Sequence, residues 1–408
     1  MKILFVTPYI TSKAHPAFLR NQTGFGYMVH DIAEYVGKHE QVDLFSAMTF
    51  TPDLDMDGFH VVGRSWWTWL KNIRWRNIRN GIQLIKRYPQ TWKNHLRTLY
   101  IFASTGQIER MVKQYNVVHI HGCNELTDAV VTVCKRQGVK FLVTLHGLNS
   151  FGDVVKMSSV MKRHEKDFLL EAAKQAWPVT FISTGNKLMA ENYVKKVLGK
   201  VNVNYNVIIN GCDIIAHKKT VDIRSIYHIA NDKFVFVFVG NISENKNQLQ
   251  VARAWMLLPE EDKQKCRVLF VGNYKKSNEI VTFIREHQLQ KELILCGKQP
   301  KEHVPQFYYA ADATILTSIS EGFGLSIIEG FVYGKPNVTF CDLPAVADLF
   351  DEDVMVLSKN RSDQALADAM IKIMHRKFNK EKIRQYAKDF SFEKMAANYS
   401  KLYRNLLK

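Results

Sequence analysis

Glu321-Gly-Phe-Gly-Leu-Ser-Ile-Ile-Glu329 is the stretch from which the rest of the chain is best read. The apolar run before it, Ala313-Thr-Ile-Leu-Thr317, predicts a buried parallel strand. After it, Leu325, Ile328 and Val332 recur at helical spacing, and Gly334-Lys-Pro336 ends the helix. Gly322 and Gly324 let the backbone bend and let a ligand approach closely. The N–H groups from about Phe323 to Ser326 then form the positive end of a helix, suited to phosphate. Glu321 lies in the loop, and Glu329 lies roughly 7 Å further along the axis at about 1.5 Å per residue. Two carboxylates therefore flank an anion site, and carboxylates accept hydrogen bonds from the hydroxyls of a sugar or ribose. On spacing alone, Glu329 serves equally well as a residue that favours the helix dipole.

Outward from this stretch the pattern is an alternation of strand and helix. Phe234-Val-Phe-Val-Phe-Val239 is an almost unbroken β-branched and aromatic run, which predicts a central strand. Strands at 268–271, 293–295, 338–340 and 354–357 follow, with helices between them. In the first half, a strand over 2–7 leads through a long loop to Gly24-Phe-Gly26 and a helix marked by Met28, Ile32, Tyr35 and Val36. A helix from Leu96 to about Gln114 opens a second regular run. It has strands at 117–121, 140–145, 179–183 and 206–210 and helices at 126–136, 158–175 and 187–197. Such alternation means α/β architecture with parallel sheets, whose ligands bind at the carboxyl ends of strands. Polar clusters sit at three such ends: His119-Ile-His121-Gly, His146-Gly147 and Ser183-Thr-Gly185. Alternation along the strand puts His119 and His121 on one face. The divisions expected are 1–210, 211–390 and a last helix over 391–408, lined by Met395, Tyr399, Leu402, Tyr403 and Leu406.

Composition narrows the function classes. The chain has 408 residues, 46% of them apolar, enough for large cores and too many for wholesale disorder. Six cysteines are scattered without a C-x-x-C pair and read as reduced core thiols, neither a disulfide frame nor a zinc site. No apolar stretch approaches the roughly 20 residues of a spanning helix, and residues 1–6 run into a strand pattern, not a signal peptide. A Rossmann dinucleotide fingerprint fails after Gly24-Phe-Gly26, because position 29 is Val.

Net charge is +17 and uneven: residues 1–210 hold 27 basic against 15 acidic residues, and 211–408 hold 29 against 24. Residues 58–108 contain nine Lys/Arg, five of the seven tryptophans and no Asp or Glu. The part from Trp66 to Arg87 predicts one or two helices with Leu70, Ile73, Ile78, Ile82 and Ile85 facing inward. Aromatic rings beside cations over Trp66–Arg97 suit an anionic membrane surface. A helix packed on the sheet with a solvated basic face is the plainer alternative. Nucleic acid is disfavoured, because no nucleic-acid motif accompanies the patch.

The Glu-x7-Glu spacing with Gly-Phe-Gly between the acids resembles the motif of retaining GT-B glycosyltransferases of the family-4, glycogen-synthase-like (group 1) kind. That resemblance implies an α/β GT-B fold, two doubly wound Rossmann-like domains facing across a cleft. It implies that Glu321 touches the donor sugar, that the N–H groups of Phe323, Gly324 and Leu325 hold the sugar and phosphates, and that Glu329 binds the ribose. Gly240-Asn-Ile-Ser-Glu-Asn-Lys246 resembles the family's Gly-Arg-x-x-x-x-Lys stretch, whose two cations hold the donor diphosphate. Lys246 matches, and Asn241 stands where the arginine is expected, able to donate a hydrogen bond but carrying no charge. Lys298 lies in the loop that by resemblance faces the base, either a second source of charge or a decoration of the loop. Gly24 is the best match to the glycine-rich loop that faces the donor diphosphate and acceptor. His146, in Val143-Thr-Leu-His-Gly147, resembles the strand-end histidine that contacts the donor sugar, although a lone histidine is more often structural. Asn210-Gly-Cys-Asp213 resembles the interdomain hinge, and the final helix is expected to cross back to the first domain. The resemblance is strongest over 233–358 and absent over 51–100.

The expectation is a cytoplasmic, nucleotide-sugar-dependent retaining hexosyltransferase. It would act on a saccharide or lipid-linked acceptor at the inner face of a membrane and need neither metal nor other cofactor. An epimerase or phosphorylase is a second enzyme reading, against which the Glu-x7-Glu pattern argues. A non-catalytic GT-B subunit that activates a partner transferase is the reading from another class, and Asn241 favours it.

Overall fold

Two sheets carry the architecture in the computed structural model, which describes residues 1–152, 157–199 and 203–408. The chain divides into a unit of Met1–Asn210 with Phe392–Lys408 and a unit of Gly211–Ser391. The first sheet has eight strands: β1 (Lys2–Thr7), β2 (Gln41–Ser46), β3 (Leu54–Met56), β4 (Phe59–Val61), β5 (Val117–His121), β6 (Lys140–Leu145), β7 (Val179–Phe181) and β8 (Tyr205–Val207). Their order is β3-β4-β2-β1-β5-β6-β7-β8, and every neighbouring pair is parallel except β3 with β4. The second sheet has six parallel strands: β9 (Phe234–Val239), β10 (Cys266–Val271), β11 (Leu293–Gly297), β12 (Ala313–Leu316), β13 (Asn337–Phe340) and β14 (Met355–Ser358). Their order is β11-β10-β9-β12-β13-β14.

Each order reverses once. In the first unit the chain winds outward from β1 and then returns to lay β5 on its other side; in the second it winds outward from β9 and returns with β12. At such a reversal the loops leave neighbouring carboxyl ends in opposite directions and open a crevice. The apolar run 234–239 lies at the centre of its sheet because residues buried on both faces leave no room for polar alternation.

β2, β3 and β4 have no counterpart in the sequence reading. Asp43 interrupts the apolar run of β2, yet it is buried, accepting from the Tyr115 hydroxyl at 2.6 Å and lying 3.3 Å from the Lys2 ammonium. The segment 66–87 also differs in its inward face. It forms helices Trp66–Asn72 and Trp75–Arg87, and the second turns Asn77 and Gly81 inward, while Leu70 and Ile82 face out. Gly81 lets this helix lie against Phe102, whose ring would be 3.1 Å from an added Cβ. Asn77 is held there by Glu109 and Arg136. All six cysteines are free thiols, but Cys341 is exposed, not in a core.

The last helix, Phe392–Leu407, packs in the first unit against the helix Gly24–Gly37, with Tyr35 and Phe392 stacked at 4.6 Å. In the second unit the helix Leu325–Val332 crosses β12 at Gly330, where a Cβ would stand 2.4 Å from the Thr314 methyl. Gly330→Ala is therefore expected to cost about 1–3 kcal/mol in denaturant unfolding through overpacking. Gly24→Ala, whose Cβ would meet open space, should change stability by less than about 0.5 kcal/mol.

Candidate functional site

In the second unit the loops 240–247 and 317–324 leave β9 and β12 at the reversal point. They are stitched together along their length. The Asn245 side chain donates to Ser320 O at 2.9 Å and accepts from Ser320 N at 3.1 Å, and Ile319 N donates to Asn245 O at 2.8 Å. The Thr317 hydroxyl donates to the carbonyls of Lys246 and Asn247 at 3.1 and 3.0 Å. Arg361, past the end of β14, adds a clamp. Its guanidinium donates to Ser318 O and Ile319 O at 3.1 and 3.3 Å while Asp342 holds it at 2.7 Å.

This stitching brings the Lys246 ammonium to 2.5 Å from Glu321 Oε2, which also accepts from the Ser318 hydroxyl at 3.0 Å. The two side chains are 26% and 17% exposed, so the pair is sheltered and still reachable. Beyond Glu321, Gly324 takes φ +81° and starts the helix Leu325–Val332. The first N–H groups of that helix lack intrahelical acceptors and point out of its end. Phe323 is buried, 6.4 Å from the Phe390 ring, and holds the loop down. Glu329, one turn further on, accepts from the Tyr308 hydroxyl at 2.6 Å. Burial and then the Glu329 charge hold that phenol well above its ordinary range, so it stays a neutral donor. Burial, and then the Glu329 charge, likewise raise the Cys212 thiol.

Asn241 is on the same loop as Lys246, and its side-chain oxygen accepts from Asn273 N at 3.1 Å. That bond ties it to the loop after β10, which carries exposed Lys275 and Lys276. Lys298 is exposed on the loop after β11, two strands away from β9. Strands lie about 4.8 Å apart, so the loop bearing Lys275 and Lys276 follows a strand nearer to Asn241 than the one that Lys298 follows.

Gly24 and His146 belong to the first unit. The loop after β1 folds onto the helix Gly24–Gly37 at Gly26, where a Cβ would be 2.1 Å from the Thr11 hydroxyl, whereas Gly24 faces open space. Thr23 caps the helix by accepting from Gly26 N at 3.1 Å. Phe25 sets its ring edge-on to His146 at 5.0 Å, so the glycine loop and the strand-end histidine meet. His146 shares a 3.1 Å hydrogen bond with His121, and His121 lies 4.1 Å from His119, ring centre to ring centre. His119 is bonded in turn to the hydroxyls of Thr144 and Tyr403, both at 2.7 Å. Burial depresses all three imidazoles. His146 falls to about 4, and His119 and His121 lie well below 6.5 with neighbouring histidines adding to the effect. The three are therefore neutral near pH 7, and His121 Nε2 has no hydrogen-bond partner among the described residues. Apart from these histidines, His30, Asp31 and Glu34 bring potential ligand atoms within 4.8 Å of one another and are the set among the described residues that could hold a cation.

Ser318, Asn245, Tyr308 and Arg361 went unread in the sequence. Each acts through a bond to a residue brought near by the sheet, and single polar residues carry no spacing signal.

With this geometry in place, comparison with known proteins is informative. Residues 220–390 match the family described as glycosyl transferases group 1. TuaC of Bacillus subtilis, a glycosyltransferase named for teichuronic acid biosynthesis, is 24% identical over 66% of this chain and 64% of its own length, so about a third of that relative lies outside the match. The O-antigen biosynthesis glycosyltransferase WclY of Escherichia coli is 24% identical over 74% of this chain and 83% of its own. Among solved structures, sucrose-phosphate synthase of Thermosynechococcus elongatus superposes with a TM-score of 0.72 over 100% of this chain and 99% of its own, at 18% identity. The second unit is a group 1 glycosyltransferase domain, and the chain has the α/β GT-B fold of two Rossmann-like units.

The buried histidines make a pH prediction. Their folded pKa values are depressed below the unfolded value near 6.5, so the stability they contribute is present above pH 6.5 and is lost as pH falls toward about 4. Each can steepen the decline by up to about 1.4 kcal/mol per pH unit. His121→Gln should flatten the measured slope of unfolding free energy against pH by up to that amount; an unchanged slope would contradict the buried neutral chain.

Proposed function

We propose that the chain transfers a hexosyl group, with retention of configuration, from a nucleotide-sugar donor to a saccharide or lipid-linked acceptor in the synthesis of a surface glycan. The observation that carries this reading is the Lys246–Glu321 pair beside a helix start at the sheet's reversal point. A cation and unpaired N–H groups there suit a diphosphate, and a carboxylate next to them suits sugar hydroxyls. The relatives named for teichuronic acid and O-antigen synthesis support the surface-glycan part.

In this reading the donor diphosphate takes the Lys246 ammonium from Glu321, and Glu321 turns to a donor-sugar hydroxyl. Glu329, fixed by Tyr308, accepts from the ribose. The family resemblance assigns Gly24 to the diphosphate and His146, which burial keeps neutral, to the sugar. Lys298 lies toward the base, and Asn241 acts through its tie to the loop bearing Lys275 and Lys276. The bond from the anomeric carbon to the phosphate oxygen breaks, and Lys246 and the helix start offset the charge that develops on that oxygen. The acceptor hydroxyl attacks from the leaving-group side, and its proton passes to the departing phosphate. Neither glutamate acts as a nucleophile, and no metal or other cofactor takes part.

Asn241 in place of an arginine supports a second reading, a non-catalytic subunit that activates a partner transferase. Slow donor hydrolysis by the purified chain separates the two, because only the enzyme performs it alone.

Lys246→Ala and Glu321→Ala are each expected to lower transfer about 100-fold or more while the chain stays folded. Near wild-type turnover in either variant rejects the assignment. Transfer should also persist in EDTA; complete loss that magnesium or manganese restores counts against charge stabilisation by Lys246 and the helix alone.

A further inference from the structure

The basic, tryptophan-rich segment presents a surface that sugar transfer does not use. Four tryptophans stand out of it: Trp66 (53% exposed), Trp67 (71%), Trp75 (78%) and Trp92 (66%). Leu70, Ile82, Leu96 and Phe50 are exposed with them. All of these but Phe50 come from three helices, Trp66–Asn72, Trp75–Arg87 and Trp92–Met111. On the middle helix, Trp75, Arg79, Ile82 and Lys86 recur three or four residues apart, opposite the inward Asn77 and Gly81. Apolar rings and cations thus share one outward stripe. Trp69 differs, turning in to stack on Tyr100 at 5.4 Å and donate to Ser104 at 3.2 Å.

The structure also sorts the nine cations of 58–108. Arg64 is buried and donates to Ala47 O, Tyr100 and Ser104. Arg76 is paired with Glu109, Arg87 with Asp167 and Arg97 with Glu125. Lys71, Arg74, Arg79, Lys86 and Lys93 are exposed and have no acidic partner among the described residues. Ordinary solvated surfaces intersperse both signs of charge and few large aromatics. Here uncompensated positive charge and exposed indole coincide.

We propose that this face docks on an anionic lipid bilayer. Indole rings settle at headgroup depth while Lys and Arg meet anionic lipid. A nucleic-acid strand fits less well, because no nucleic-acid motif accompanies the patch and one of its four outward rings, Trp66, is already stacked on Trp69 at 5.0 Å. No described helix is long and apolar enough to cross a membrane, so attachment through this face is peripheral and reversible.

The test is co-sedimentation of the full chain with vesicles of graded phosphatidylglycerol content in phosphatidylcholine, at low and high salt. It needs no donor or acceptor, so it stands or falls apart from the sugar-transfer reading. Wild type should sediment in proportion to anionic content. Arg74→Glu, Arg79→Glu and Lys86→Glu together should lower partitioning about 100-fold or more at low salt. Trp67→Ala, Trp75→Ala and Trp92→Ala together should remove the part that resists salt. All six positions are exposed, and circular dichroism of each variant confirms folding. Quenching of wild-type tryptophan fluorescence by lipids brominated near the headgroup provides a readout without any variant. No sedimentation of wild type with anionic vesicles at low salt, equal sedimentation of wild type and the charge-reversed variant, or binding to single-stranded RNA but not to vesicles would each overturn the proposal.

Discussion

The Lys246–Glu321 ion pair is the contact around which the second unit is arranged. A parallel sheet sends its loops from one edge, and only at a reversal of strand order do two neighbouring loops diverge enough to leave a crevice. β9 and β12 make that reversal, and the loops after them carry the two charges. Left free, a long lysine and a loop glutamate would spend little time together, since holding two flexible charged groups costs about what the pair returns. Asn245, Thr317 and Arg361 remove most of that freedom in advance by fixing the backbone beneath both residues. In the proposed reading the pair is a ready cation with a replaceable partner, for which a diphosphate, carrying more charge than one carboxylate, competes.

Polar groups in the two units are held by different means. In the second, charge is kept: Lys246, Glu321, Arg361 and Asp342 remain paired at a partly open edge. In the first, charge is removed. His119, His121 and His146 are packed closely enough that burial keeps them neutral, and hydroxyls of Thr144 and Tyr403 satisfy the innermost ring. A neutral imidazole at the end of β6 can donate or accept toward an uncharged hydroxyl. Within the first unit, uncompensated positive charge lies on the outward face of the 66–97 helices.

The fold class was legible because β6, β9 and β12 are largely apolar runs separated by helical spacing, and two-sided burial permits little else. β2 was not, because Asp43 breaks its run and its partners Tyr115 and Lys2 are distant in sequence. The inward face of the 75–87 helix was misread for a related reason. The spacing predicts isoleucines as the packing residues, but a glycine and a networked asparagine allow closer approach to Phe102 than an isoleucine would. Glu321 and Lys246 stood out through spacing and resemblance. Ser318, Asn245 and Tyr308 did not, since what makes them matter is the residue each bonds across the fold. The spacing puts His121 on one face with His119 and makes it a candidate to line a cleft; its bond to His146 depends on the register of β5 against β6.

The most direct measurement is calorimetric titration of wild type, Glu321→Gln and Lys246→Ala with UDP and GDP, without sugar. If the lysine is held for a diphosphate, whichever nucleotide binds wild type should bind Glu321→Gln at least as tightly, because the competing carboxylate is gone. Lys246→Ala should then lose affinity about tenfold or more, as removal of a charge-assisted bond of roughly 1.5–3 kcal/mol requires. Equal affinity for wild type and Lys246→Ala, or loss of binding in Glu321→Gln, would contradict the exchange of Glu321 for a diphosphate on Lys246.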